Sequence, residues 1–136
     1  MADTLDRLTS VMGERISLRA DEGTPFHVGH VHLMRDDVIF HALEETDLQI
    51  GHNVTYGHQA IVHGGLGMLH NGEMIPTVID DDVTLKSQSI VFTSRIGRGC
   101  IIGEKSAVLN SVLTPGTVIP DRVIYQNNAI FGAVEW

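Results

Sequence analysis

The chain has a single cysteine, Cys100, in 136 residues, so no disulfide can form within it. That excludes a disulfide framework and fits a reducing, cytoplasmic setting. Basic residues are also scarce: 9 Lys and Arg stand against 17 Asp and Glu, for a net charge of −8. An acidic balance without a basic cluster argues against a nucleic-acid partner or an anionic membrane surface. No apolar run approaches the length of a membrane span. The opening stretch, MADTLDRLTSVMGER, lacks the apolar segment of a secretory signal. Helical periodicity is nearly absent too. Residues 4–15 carry it, with Leu5, Leu8 and Met12 at helical spacing. What remains is a globular chain, 43% hydrophobic, long enough for one domain with a real core.

What the chain does have, from Val28 onward, is a period of six. Aliphatic or aromatic anchors fall at Val28, Met34 and Phe40, then at Ile50, Tyr56 and Val62. The pattern returns at Ile79, Leu85 and Val91, at Ile96, Ile102 and Val108, and at Leu113, Ile119 and Tyr125. Three such hexapeptides make one triangular coil of about 18 residues, the signature of a parallel β-helix. The reading is all-β: a left-handed parallel β-helix of hexapeptide repeats, about five coils over residues 16–131, with a short helix at 1–15, all one domain.

Subtraction gives the register between coils. Ile79 to Ile96 and Ile96 to Leu113 are each 17 residues, so one residue is trimmed at a corner. Val28 to Ile50 is 22, which leaves extra residues near ALEETD, and Ile50 to Ile79 is 29. The larger excess falls around GLGMLHNGEMIP, whose glycines, Asn-Gly pair and Pro76 are turn chemistry. Residues 66–77 are therefore expected to protrude as a loop from a corner, where solenoids keep binding segments. The flat faces and open ends of such a fold favour oligomerisation.

Two histidines share a phase within the hexapeptide. His41 follows the anchor Phe40 and His63 follows Val62, so they should stack on one face about one strand spacing (~4.8 Å) apart. His58 lies two residues after Tyr56 and falls around a corner from them. Zinc bonds imidazole nitrogen at about 2.0–2.1 Å and needs its ligands to converge. Within one chain His58 points away; between two chains side by side it could complete a site. Spacing alone leaves two readings open, surface histidines that are solvated or hydrogen-bonded and a metal centre shared by neighbouring chains.

The stretches SLRADEGTPFHVG (17–29), DDVIFHALE (36–44) and VTYGHQAIVHG (54–64) resemble the γ-class carbonic anhydrases and the related N-terminal domain of the β-carboxysome scaffold protein. FTSRIGRGCIIGEKSA and TVIP continue the resemblance more weakly, to about residue 125. It implies a cytoplasmic homotrimer with a metal at each subunit interface, held by His41 and His63 from one chain and His58 from the next. Zn2+ is the implied cofactor, with Fe2+ or Co2+ suited to the same ligands, and the implied activity is reversible hydration of CO2 to bicarbonate. The resemblance also implies an interface ion pair of Arg19 and Asp21, and acidic residues Glu22 and Glu44 beside the metal, with Glu44 in a proton-shuttle position.

Two positions depart from that family. Leu33 and Arg35 stand where it usually has an Asn and a Gln, and a guanidinium cannot accept a hydrogen bond as the Gln does. Arg35 could instead stabilise bicarbonate, or pair with Asp21 or Glu44. These departures favour a second reading, a non-catalytic trimer that keeps its metal as a staple in a scaffold or assembly module. A third, a hexapeptide acyltransferase, is opposed by the acidic balance, since the phosphates of coenzyme A call for basic residues. Cys100 is read as core packing, and His27, His30, His32, His52 and His70 as surface or loop residues.

Overall fold

The computed structural model describes residues 13–20, 26–42, 48–64, 68–70, 73–75 and 77–134. The expected N-terminal helix falls mostly on residues 1–12, outside the described ones, and among those described there is no helix.

The chain winds through three parallel sheets in strict rotation. Strand β1 (Ser17–Ala20) begins on what we call face III. The first coil is β2 (Phe26–Val28) on face I, β3 (Val31–Met34) on face II and β4 (Ile39–Ala42) on face III. The second is β5 (Leu48–Ile50), β6 (Val54–Tyr56) and β7 (Ile61–Gly64) in the same order. A separate hairpin, β8 (Met68–His70) and β9 (Glu73–Ile75), then interrupts the winding. The third coil is β10 (Thr77–Ile79), β11 (Thr84–Leu85) and β12 (Ile90–Phe92). The fourth is β13 (Arg95–Ile96), β14 (Ile101–Ile102) and β15 (Ala107–Leu109). The fifth is β16 (Val112–Leu113), β17 (Val118–Ile119) and β18 (Val123–Gln126). The sequence ends differently from the repeat: β19 (Ala129–Ala133) turns back and pairs antiparallel with β18, adding a last strand to face III.

The registers read by subtraction match the pairing. Val28, Ile50, Ile79, Ile96 and Leu113 are successive Cα partners on face I. The anchors form a single core, buried except for Val28 and Tyr125, which pack against it. Alternation within each short strand sends one residue inward and its neighbours outward, so a hexapeptide buries one large side chain per face.

The corners follow a second rule. At each turn the second residue has a positive φ, near 60° at Asp37, Asn53, Gln59, Asp82, Gln88, Lys105 and Arg122. Glycine takes that role at Gly99 and Gly116, where it is unstrained. The first turn residue often caps the coil before it. The Glu14 N–H donates to Asp36 Oδ1 (2.9 Å), the His52 N–H to Asp81 Oδ1 (2.7 Å) and the Glu104 N–H to Asp121 Oδ1 (2.8 Å). Two histidines fill the same post. His52 Nδ1 accepts from the His30 N–H (2.8 Å), and His58 Nδ1 from the Asp36 N–H (3.3 Å). The backbones approach closely here: a Cβ on Gly57 would lie 2.4 Å from the Ser87 nitrogen.

Candidate metal centre

Face III brings His41 and His63 together. They are direct Cα partners on β4 and β7, and their ring centroids lie 4.7 Å apart at 78°. Both stand outward because Phe40 and Val62, their predecessors, point into the core. The ladder continues on both sides, from Arg19 on β1 through the histidines to Phe92 on β12. Phe92 packs on His63 with centroids 4.7 Å apart, closing one flank of the pair. His63 is held below the ordinary histidine pKa, first by burial and then by the charge of His41, against an opposing effect of the Gly64 backbone. Its Nδ1 is buried and has no hydrogen-bond partner among the described residues.

His58 sits in the turn between faces II and III, exposed. It lies at one end of face III and His63 at the other, so strand rise alone separates them by roughly 10 Å or more. Among the described residues no three His, Cys, Asp or Glu side chains converge to hold a metal. The donor chemistry nonetheless suits a borderline cation such as zinc: two adjacent imidazoles, one kept neutral and with an orphaned buried nitrogen. The fit holds for a cation on His41 and His63 whose third ligand comes from outside the chain. His58 has a carboxylate at hand, Asp36 Oδ2 at 3.8 Å from Nδ1. As it stands Nδ1 accepts from the Asp36 N–H, so a ligand on Nε2 would move the ring proton to Nδ1 and give up that bond.

The remaining sequence candidates are scattered. Arg35 is exposed and immediately precedes Asp36, so it shares a corner with His58 and not with the histidine pair. Arg19 is the Cα partner of His41. Asp21, Glu22 and Glu44 lie outside the described residues. Cys100 is buried, with Sγ donating to the Thr114 carbonyl at 3.2 Å. His27, His30, His32 and His52 are exposed, while His70 lies on β8. The sequence reading missed the capping post of Asp36, His52, His58, Asp81 and Asp121. Its signal is a polar pair just after an anchor, as in YGHQ and IPDR. A groove of about 400 Å3 on face I, lined by His27, Gln49, Val78, Asp80, Asp81 and Arg98, lies away from the pair.

Outward-facing histidines on a triangular coil of hexapeptides define the class, a hexapeptide-repeat β-helix protein with a candidate metal face. The comparisons narrow it. The chain is 30% identical over 132 residues to the carbonic anhydrase of Methanosarcina thermophila, covering 83% of this chain and 49% of that one. It is 30% identical over 121 residues to the carboxysome assembly protein CcmM of a Nostoc species, covering 82% of this chain and 20% of that one. It is 37% identical over 81 residues to the serine acetyltransferase of Bacillus pumilus, covering 58% of this chain and 36% of that one. The chain is thus a homologue of γ-class carbonic anhydrase and of the carbonic-anhydrase-like domains of carboxysome assembly proteins. It spans about half the length of the first and a fifth of the second. No protein-family model matches the chain, and no solved structure does. No helix among the described residues is long and apolar enough to cross a membrane.

Proposed function

We propose that the chain assembles as a homotrimer in the cytoplasm and hydrates CO2 reversibly to bicarbonate, using a metal bound by His41 and His63 of one copy and His58 of the next. The observation that carries this reading is the in-register histidine pair with His58 at the opposite end of the same face. Zinc, or iron or cobalt in its place, supplies Lewis acidity that lowers the pKa of water from 15.7 to about 7.

The chain's own groups do the rest. His63, kept neutral by burial, offers its donor without first releasing a proton. Phe92 excludes water from its flank. Asp36 lies beside His58 at the corner, its Oδ2 3.8 Å from Nδ1. Glu44 carries the product proton to buffer, with Glu22 beside it, and Arg19 with Asp21 ties the copies together. Arg35, beside His58, holds the bicarbonate anion. The outer side of face III supports a packed interface: Ile39, Ile61, Ile90, Ala107 and Ile124 run along it in register, each half-buried. An apolar sheet face of this kind calls for cover.

The test is metal content, solution mass and CO2 hydration on one preparation. The expected result is a trimer with roughly one metal per chain, reduced by His41→Ala, His58→Ala or His63→Ala alike. Arg35→Gln should raise turnover by releasing bicarbonate faster. A monomer that binds metal through all three histidines would refute the shared site. Metal-loaded trimer no faster than buffer would leave a second reading, a metal-stapled assembly module. Leu33 and Arg35 favour that reading, as does the similarity to a carboxysome assembly protein.

A further inference from the structure

The outward column of face III runs in register from His41 on β4 through His63 on β7 and Phe92 on β12 to Leu109 on β15. Side chains repeated along such a column lie one strand spacing apart, about 4.8 Å, and flat rings on it stack face to face. Two imidazoles repeated that way would hold their like nitrogens about 4.8 Å apart. One zinc bonded at about 2.0–2.1 Å to each nitrogen spans at most about 4.2 Å. A simple stack is therefore the wrong arrangement for a shared cation. One ring must turn towards the other.

The column breaks its repeat at that point. His41 and His63 stand at 78°, nearly edge to face, with ring centroids 4.7 Å apart. On its other side His63 meets Phe92 at the same 4.7 Å but only 36° from parallel. The stacking therefore continues from Phe92 to His63 and stops between His63 and His41. Aromatic pairs at these separations attract in both offset-stacked and edge-on geometries, so each contact is favourable as it stands. Of its two neighbours on the column, Phe92 is the one whose plane His63 follows. Phe92 is half-buried and faces outward beside the buried anchor Val91, so the core of the coil does not call for an aromatic there.

We propose that Phe92 is a positioning residue for the metal centre: its ring fixes the plane of His63, so that the imidazole is already turned across His41 and not stacked on it. This rests on the shared-site reading above, in which both histidines hold one cation. The gain is preorganisation. A ligand locked by packing loses less freedom when it binds, and loosening the group that orients a metal-binding histidine typically costs about 10–100-fold in affinity. A leucine in place of Phe92 would cover the same apolar surface without presenting a flat face, whereas a tyrosine would keep the face.

The test compares wild type, Phe92→Leu and Phe92→Tyr, first without metal and then with zinc. In the metal-free protein at fixed pH, the pattern of nuclear Overhauser contacts between the His41 and His63 ring protons should change in Phe92→Leu and persist in Phe92→Tyr. Zinc dissociation constants, measured by competition with a chelator, should rise by about tenfold or more in Phe92→Leu and stay within about twofold in Phe92→Tyr. An unaltered ring-to-ring pattern in Phe92→Leu overturns the proposal, and so does zinc bound equally tightly by all three proteins. The reading of the site fails separately. A ring pattern that follows residue 92 in a protein that takes up no zinc sustains the hold of Phe92 on His63 and defeats the shared site. Zinc lost in His41→Ala and His63→Ala but indifferent to residue 92 does the reverse.

Discussion

Tyr56 offers the sharpest test of the core. It sits on β6 with no exposed surface, and its ring lies 5.2 Å from Phe40 at 55°. The hydroxyl is buried with no partner among the described residues, and burial alone pushes its pKa far above the ordinary tyrosine value. A hydroxyl in that position has lost its water hydrogen bonds without replacement, which costs about 1–3 kcal/mol. Tyr56→Phe removes the oxygen and leaves the ring packing intact, so it should stabilise the fold by about that amount. For a domain of this size the midpoint shift is about 3–4 °C per kcal/mol, or roughly 3–12 °C in all. Urea unfolding should show a higher midpoint at unchanged slope, because the surface exposed on unfolding barely changes. A fall of about 1 kcal/mol or more would refute the reasoning and show that the hydroxyl is hydrogen-bonded, for example by an interior water.

Three further outcomes follow from the corners and the core. Asp82 accepts from Asn53 Nδ2 at 2.8 Å and Arg98 Nε at 3.1 Å, and these bonds hold its pKa below the usual carboxylate value. Its contribution is therefore present above the unfolded pKa of about 3.9 and lost as pH falls through the lower folded value. Asp82→Asn should flatten that part of the acid-unfolding curve, and an unchanged curve would remove Asp82 from the corner's electrostatics. Gly57→Ala would set a Cβ 2.4 Å from the Ser87 nitrogen, so the coils must part, at about 2 kcal/mol or more by urea unfolding. Leu85→Ala, at a fully buried anchor, should cost about 2–5 kcal/mol, whereas a value under 1 would mean that the coil collapses around the gap.

The winding was legible in the sequence because a β-helix is nearly one-dimensional: each coil touches only its neighbours, so spacing translates directly into register. That is why the intervals 22, 29 and 17 reproduce the observed pairing of Val28, Ile50, Ile79, Ile96 and Leu113. The stacking of His41 on His63 was legible for the same reason. The β19 strand was not, since an antiparallel return obeys no hexapeptide count. Nor was the hairpin within 66–77, whose two short strands follow each other's alternation and not the period of six. The capping role of His58 was hidden because Asp and His look unlike in sequence but present an acceptor to the same backbone N–H.

By itself the sequence determined which residues lie inward, which columns they form and which two histidines are neighbours. These depend on period and register, and both are local counts. The tertiary structure decided how far His58 lies from that pair, that Asp36 sits against its ring, and that half-buried isoleucines line the face beside it. Those facts depend on where the corners fall around the triangle. The corners are set by backbone hydrogen bonds between coils and by residues with positive φ, which the six-residue period does not encode.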